Sequence, residues 1–194
     1  MKLRLMVVMF CIAFVISGCI SSKSYVDNSY KKSKIADIIP AKTPKKATVV
    51  VEFQRNGEPQ PSAVPFVKAQ IVKTLTWSRV FEPVDNTDAN VDKLFFTMNN
   101  IADLENATKQ GFKTGFTFGG AGSVVSDNYA FTGKLIPVKG KEFKGEYKHA
   151  LHTAIGNTDA PQGLTPAVSI EAGINEIIED LVLNFLKDYQ ASIK

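Results

Sequence analysis

Cysteine is nearly absent from this chain of 194 residues, which contains only Cys11 and Cys19. Two cysteines exclude a disulfide-rich scaffold and a four-cysteine zinc site. Glycine and proline together number 22, which is too few for a fibrous or low-complexity protein. With 44% hydrophobic and 22% charged residues, the composition is that of one globular domain of ordinary size.

A hydrophobic run long enough to cross a membrane is also missing near the N-terminus. The apolar run at residues 5–16 has twelve residues, and a helix of that length spans about 18 Å of a hydrocarbon core that is roughly 30 Å thick. Lys2 and Arg4 precede the run and small residues follow it, which is typical of a secretory signal peptide. We therefore predict a signal peptide over residues 1–18.

The signal-like segment ends in the sequence Ile16-Ser17-Gly18-Cys19, which resembles the lipobox of bacterial lipoproteins. The resemblance implies cleavage before Cys19, a diacylglycerol on its thiol and an acyl chain on its new amino group. Two or three chains hold a protein durably at a bilayer, whereas one chain anchors it only marginally. The alternative is an ordinary secretory signal followed by an unmodified cysteine.

The residue after the cysteine, Ile20, bears on which membrane receives the protein. In lipoproteins of bacteria with two membranes, Asp at this position favours retention at the inner membrane. Ile20 therefore predicts the outer membrane, with the protein lipid-anchored on its periplasmic face.

Positive charge is concentrated just after the cysteine. Residues 20–46 carry seven lysines and two aspartates, whereas residues 47–194 carry 14 basic and 17 acidic residues. Because no apolar period runs through the lysine-rich part, we predict a flexible, lipidated tether over residues 19–46 and a single periplasmic domain over residues 47–194. The lysines are interpreted as a solvated spacer, with attraction to anionic headgroups as the alternative. The slightly acidic domain predicts no nucleic-acid partner.

The hydrophobic pattern of the domain indicates strands between two helices. Apolar residues alternate over 47–54, which predicts a strand, and recur at spacings of three and four over 64–75, which predicts a helix with Ser62 as its N-cap. Thr165 and Pro166 predict the start of a long second helix. Further strands are predicted at residues 80–84, 93–100, 112–119, 129–136 and 143–151. The order predicts an α+β fold with a mostly antiparallel sheet of five or six strands, covered by the two helices.

The two histidines, His149 and His152, follow Glu146 at spacings of three. On a helix the three side chains would share a face and could bind a metal. The surrounding residues alternate as in a strand, however, which would turn the two histidines to opposite faces. We find no nucleophile motif and predict no metal, no cofactor and no catalytic residue, so the protein is not expected to be an enzyme.

Glycine and phenylalanine are concentrated in residues 112–131, where we predict a hairpin that turns at residues 126–128. Its aromatic residues are the predicted contact surface for an envelope protein partner: Phe112, Phe116, Phe118, Tyr129 and Phe131. In outline the segment resembles the hairpins that curli-secretion-type lipoproteins contribute to an oligomeric pore. A subunit of an outer-membrane pore or secretion complex is therefore one alternative function.

The sequence predicts a non-enzymatic binding or accessory role in the assembly or maintenance of the cell envelope. In shape and anchoring the chain resembles small accessory lipoproteins that serve lipopolysaccharide transport or activate peptidoglycan synthases. An envelope hydrolase with a site that the sequence does not reveal is the second alternative.

Overall fold

The structure is a computed structural model that describes residues 22–85, 90–102, 122–158 and 162–193. In these residues the helices and strands follow one another as β1 (Ser22–Asp27), β2 (Lys45–Arg55), β3 (Glu58–Pro59), α1 (Val64–Ser78), β4 (Phe81–Pro83), β5 (Asp92–Ala102), β6 (Ser123–Ile136), β7 (Phe143–Ile155), β8 (Leu164–Ala167) and α2 (Ile170–Ser192). Short 3-10 turns at Ile35–Asp37 and Pro61–Ala63 precede β2 and α1.

The strands form one mixed sheet in the order β3-β2-β5-β6-β7-β1-β8, with β4 also beside β2. β2 runs parallel to β4 and β5, and the other pairings are antiparallel. The α+β class is confirmed. The predicted number of five or six strands is too low, because the sheet has eight strands in the described residues, and two of its pairings are parallel. The β2–β4 pair is parallel because α1 carries the chain back along β2, so that β4 starts at the same end of the sheet as β2.

Both helices lie on one face of the sheet. The strand residues that point toward them alternate, as Leu94, Phe96 and Met98 do on β5, and all three are buried. At the centre the Phe185 ring of α2 meets the Phe96 ring edge to face, with 5.3 Å between ring centroids. Gly133 of β6 lies under the Phe185 ring, where an added Cβ would come within 2.5 Å of a ring carbon of Phe185. This position therefore requires glycine because the helix approaches the strand too closely for any side chain.

The start of the second helix differs from the prediction. Thr165 and Pro166 belong to β8, which pairs with β1, and α2 begins after Ser169, whose hydroxyl accepts a hydrogen bond of 3.0 Å from the Ala172 amide. Thr165 is held in the strand by the Asn28 side chain, at 2.8 Å. The first helix is confirmed, but Ser62 lies in the preceding 3-10 turn and gives α1 no side-chain cap.

The predicted hairpin turn at residues 126–128 is wrong, because β6 runs through it without interruption. β7 pairs with residues 126–128, and β5 pairs with Asp127 and Asn128. The polar side chains that suggested a turn find cross-strand partners instead, such as the Asn100 amide, which donates to Asp127 at 3.1 Å. Pairing with two neighbouring strands thus outweighs the local turn preference of these residues.

The predicted tether is also corrected by the structure. Residues 22–27 form β1, which lies inside the sheet between β7 and β8, and Val26 is fully buried. The following residues then lie along α2 before β2 begins. Residues 22–46 are therefore part of the domain. The prediction missed this because the strand is short and polar, and its burial depends on partners more than 120 positions away.

Candidate functional site

One end of the sheet lies directly after the predicted lipidation site. Ser22 is paired with Ile155 of β7, and Ile155 is paired in turn with Ser123 of β6, so the three residues form a row across that end. Cys19 itself lies outside the described residues. Three residues of fully extended chain span at most about 11 Å. The row therefore begins three residues after the predicted acylation site, and we call it the anchor end.

The predicted aromatic contact surface is divided by the structure. Phe112, Phe116 and Phe118 lie outside the described residues. Tyr129 and Phe131 are buried, with 3% and 1% of their surface exposed, because both point toward the helices. They are core residues in this chain and are not available as a contact surface, so that part of the prediction is wrong.

A set of polar contacts, which we call the α2 clamp, ties residues 31–33 to α2. Lys31 Nζ lies 2.7 Å from Asp188 Oδ1, and Lys32 Nζ lies 3.0 Å from Glu176 Oε1. Between them the Asn184 side chain donates to the Lys31 carbonyl at 2.7 Å and accepts from the Ser33 hydroxyl at 2.7 Å. Each exposed ion pair contributes only about 0–1 kcal/mol, and the buried Asn184 bonds add about 1 kcal/mol each.

The clamp continues into a buried histidine on β7. His149 is completely buried, its Nε2 lies 3.3 Å from Asp180 Oδ2, and its ring stacks on Tyr30 at 5.3 Å. Lys32 Nζ approaches the same Asp180 oxygen at 3.6 Å. Asp180 thus receives two partners from different segments, and His149 serves to join β7, α2 and the N-terminal segment.

A second polar cluster, the His152 array, occupies the opposite face of the sheet. His152 Nδ1 lies 2.8 Å from the Ser126 hydroxyl, and Nε2 lies 3.2 Å from Asp27 Oδ2. The three side chains come from β7, β6 and β1, which are neighbours in the sheet. The backbone amide of Ser29 donates to the other carboxylate oxygen of Asp27 at 2.8 Å. The predicted placement of the two histidines on opposite faces is therefore confirmed.

The charge of Asp27 determines what the array can do. Burial raises the pKa of the Asp27 carboxyl, but hydrogen bonds from Ser29 and His152 outweigh it, so the pKa lies below its ordinary value. The ionised carboxylate favours the tautomer that carries its proton on Nε2. Nδ1 then keeps a lone pair that can accept the proton of Ser126. Serine hydrolases also combine a nucleophile, a base and an orienting acid, but their serine bonds to Nε2 and their acid to Nδ1, the reverse of the arrangement here.

Sequence reasoning did not identify this array because its members are far apart in the chain. Ser126 and His152 are separated by 26 positions, and Asp27 and His152 by 125. Asp27 also falls within the predicted tether, residues 19–46. Only the register of β6 against β7, which pairs Ser126 with His152, could have indicated the first contact.

Two further features of the described residues concern metals and membranes. In the ranges that the structure describes, no group of three or more His, Cys, Asp or Glu side chains is placed to hold a metal ion. Glu146 and His149 lie on opposite faces of β7, because they are three residues apart on a strand. Neither α1 nor α2 is long and apolar enough to cross a membrane.

Comparison with known proteins gives distant structural likenesses. No protein-family model matches the chain, and no curated protein matches it in sequence. A solved PelC dodecamer from Paraburkholderia phytofirmans is similar over 88% of this chain and 97% of its own, with 11% identity and a TM-score of 0.34. That structure is of a variant with one substitution, and a second PelC dodecamer structure from the same organism, without that substitution, gives the same identity and coverage with a TM-score of 0.33. At this level the likeness supports no statement about function or assembly.

Proposed function

We propose that this protein is a lipid-anchored component of the bacterial outer membrane, whose periplasmic domain lies next to the leaflet and binds another component of the envelope. The observation that carries the proposal is the lipobox-like sequence ending at Cys19, which is followed only three residues later by β1. The folded domain thus starts almost immediately after the predicted site of acylation.

The position of β1 changes the expected reach of the domain. A free tether of residues 20–46 would have a root-mean-square span of about 29 Å. With residues 22–46 in the fold, the link shrinks to about 11 Å at full extension. We infer that the anchor end of the sheet stays close to the headgroups, so that a partner must also come to the membrane surface.

The lysines of this region take two different roles in the proposal. Lys31 and Lys32 are paired with acids of α2, so they contribute to the domain itself. Lys23 is exposed in β1, one residue from the anchor end. A lysine near an anionic leaflet adds about 1 kcal/mol of attraction, and Lys23 is the one best placed to do so.

The anchor is tested by comparing Cys19→Ala with Cys11→Ala, which lies within the predicted signal peptide. We expect intact-mass analysis of the wild-type and Cys11→Ala proteins to show a chain that begins at Cys19 and carries the mass of two or three acyl chains. Cys19→Ala should lose that mass and leave the membrane fraction. A mature protein that starts at another residue, or a Cys19→Ala variant that remains on membranes after carbonate extraction, would contradict the proposal.

The outer-membrane location is tested separately by changing Ile20. On density gradients that resolve the two membranes, we expect Ile20→Asp to move the lipidated protein to the inner-membrane fractions. Ile20→Ser is the matched control and should remain with the outer membrane. Equal distributions of the two variants would refute the sorting proposal while leaving the lipid anchor intact.

A second candidate function, an envelope esterase, is favoured by the His152 array. In such a reaction Ser126 Oγ would attack an ester carbonyl while its proton passes to His152 Nδ1, and the departing alcohol would take that proton. Water would then release the acid from Ser126 by the same path. We expect a fluorophosphonate probe to label Ser126 in the wild type and not in Ser126→Ala, with Ser24→Ala as the control. Absence of Ser126 labelling in the folded protein would exclude this function.

A further inference from the structure

Among the residues that the structure describes, strands cover the outer edge of β2 only at its two ends. β4 pairs with residues 45–47 of β2, and β3 pairs with Gln54 and Arg55. On its other edge β2 is paired with β5 over nine consecutive positions. In the described part of the chain, no strand lies beside Val49 or Val51 on the outer edge.

The backbone of Val49 and Val51 faces this uncovered stretch. On the same edge, the Lys45 amide donates to the Val80 carbonyl at 3.2 Å, and the Ala47 carbonyl accepts from the Val84 amide at 3.0 Å. Farther along, the Phe53 carbonyl accepts from Gln60 at 2.8 Å. Because hydrogen-bonding direction alternates along a strand, Val49 and Val51 also direct their N–H and C=O groups to this edge. These groups form a template on which another strand can pair.

A groove of about 330 Å³ lies beside this stretch. β2, α1 and the end of β4 contribute its apolar lining: Val49, Pro65, Ala69, Val72, Pro83 and Val84. Lys68 and Asp85 add one charge of each sign, so the lining has no net charge.

The groove exists because β4 is short. β4 pairs with β2 for three residues, after which the chain leaves the sheet, while α1 continues above β2. The groove therefore follows the line along which β4 would continue if it were longer. The β2 edge of the groove offers backbone donors and acceptors, and α1 offers apolar side chains. Together they fit an extended peptide rather than a helix.

We propose that this groove binds an extended segment of an envelope protein, which adds to the sheet as a strand beside Val49 and Val51. The segment has apolar residues at alternate positions, because one set of its side chains faces Ala69 and Val72 of α1. This inference rests on the proposed binding role and specifies where the partner docks. It does not depend on the lipid anchor.

The described residues favour a separate protein over a second copy of this chain as the source of the strand. The other edge of the sheet is formed by β8, which has four residues and includes Pro166. Proline has no backbone N–H, so this edge offers an incomplete set of donors. A partner with a continuous alternating segment would supply every hydrogen bond that Val49 and Val51 can make.

The test uses a display library of random eight-residue peptides, panned against the full lipidated protein in detergent. We expect the selected peptides to alternate apolar and polar residues and to bind at least tenfold more weakly to Ala69→Phe, which fills the groove from the exposed surface of α1. Thr76→Phe, on an exposed position of the same helix outside the groove, should bind like the wild type. Selected peptides without alternation, or equal binding to both variants, would overturn the proposal.

Methylation of the peptide backbone distinguishes strand addition from simple hydrophobic contact. Two series of peptides are compared, one with N-methyl groups on the odd-numbered amides and one with N-methyl groups on the even-numbered amides. One series should lose binding and the other should bind unchanged, because only alternate amides face β2. Unchanged binding of both methylated series would overturn the proposal. So would dissociation of a homo-oligomer by the peptide, since a second copy would then be the natural occupant. Peptide binding that persists in Cys19→Ala separates this result from a failure of the anchor.

Discussion

Two histidines three residues apart on β7 have opposite environments. His149 faces the helices, is completely buried and bonds to Asp180, whereas His152 faces the side of the sheet away from the helices and bonds to Ser126 and Asp27. The helix-covered face uses its polar groups to hold segments together. On the face away from the helices, Ser126 and His152 remain partly accessible. The alternation of a strand is thus enough to place one histidine in the core and the other in a partly exposed polar cluster.

Phenylalanine substitutions should give the largest difference in stability between the two faces of the sheet. Phe185 packs between Phe96 and Phe143 on the covered face, and Phe185→Ala should lower the free energy of unfolding by about 3–5 kcal/mol. Phe95 points away from the helices and is only partly buried, so Phe95→Ala should cost well under half as much. Urea denaturation of both variants measures the two values. Equal losses would show that the two phenylalanines are packed equally tightly.

A smaller difference is expected between the histidines themselves. His149→Ala removes a buried partner of Asp180 and should cost about 1–3 kcal/mol, because a buried polar group loses its hydrogen bond. His152→Ala affects a half-buried array that water can partly satisfy, so its cost should be near 1 kcal/mol or less. The comparison is made by urea denaturation at neutral pH. A larger loss for His152→Ala would reverse the roles assigned to the two faces.

The smallest effect concerns the pH dependence of the His152 array. The pKa of Asp27 is lowered in the folded protein from its ordinary value of 3.8. At acid pH the Asp27 carboxylate therefore binds a proton more readily in the unfolded chain than in the folded protein. The contribution of Asp27 to stability is therefore complete above about pH 5 and declines as the pH falls through 3.8 and below. The loss of stability in Asp27→Asn, about 1 kcal/mol at pH 7, should shrink at pH 3. A loss that is independent of pH would mean that the carboxylate charge has no role.

The parts of the fold that were predictable are those whose signal is local. The α1 helix follows from apolar residues at spacings of three and four, because one face of a helix must pack against the sheet. The covered face of β2 follows from the alternation of Val49, Val51 and Phe53. In both cases the pattern within one segment already specifies which side chains are buried.

The parts that were missed depend on pairing between distant segments. β1 reads as a polar linker until β7 and β8 are placed on either side of it, and residues 126–128 read as a turn until β5 and β7 pair with them. The His152 array brings together three strands, so no spacing within one segment could reveal it. The groove beside β2 depends on where β4 stops pairing, and the sequence carries no signal for that except Pro83.

The position of β1 also bears on the order in which the protein can fold. Ser24 is paired with Thr153 and with Ala167, so the first described strand is completed by residues that are more than 120 positions later in the chain. If the protein is exported as proposed, the sheet cannot close around β1 until most of the chain has crossed the inner membrane. Modification of the nearby cysteine would then take place on an unfolded polypeptide, and assembly of the native sheet would follow it.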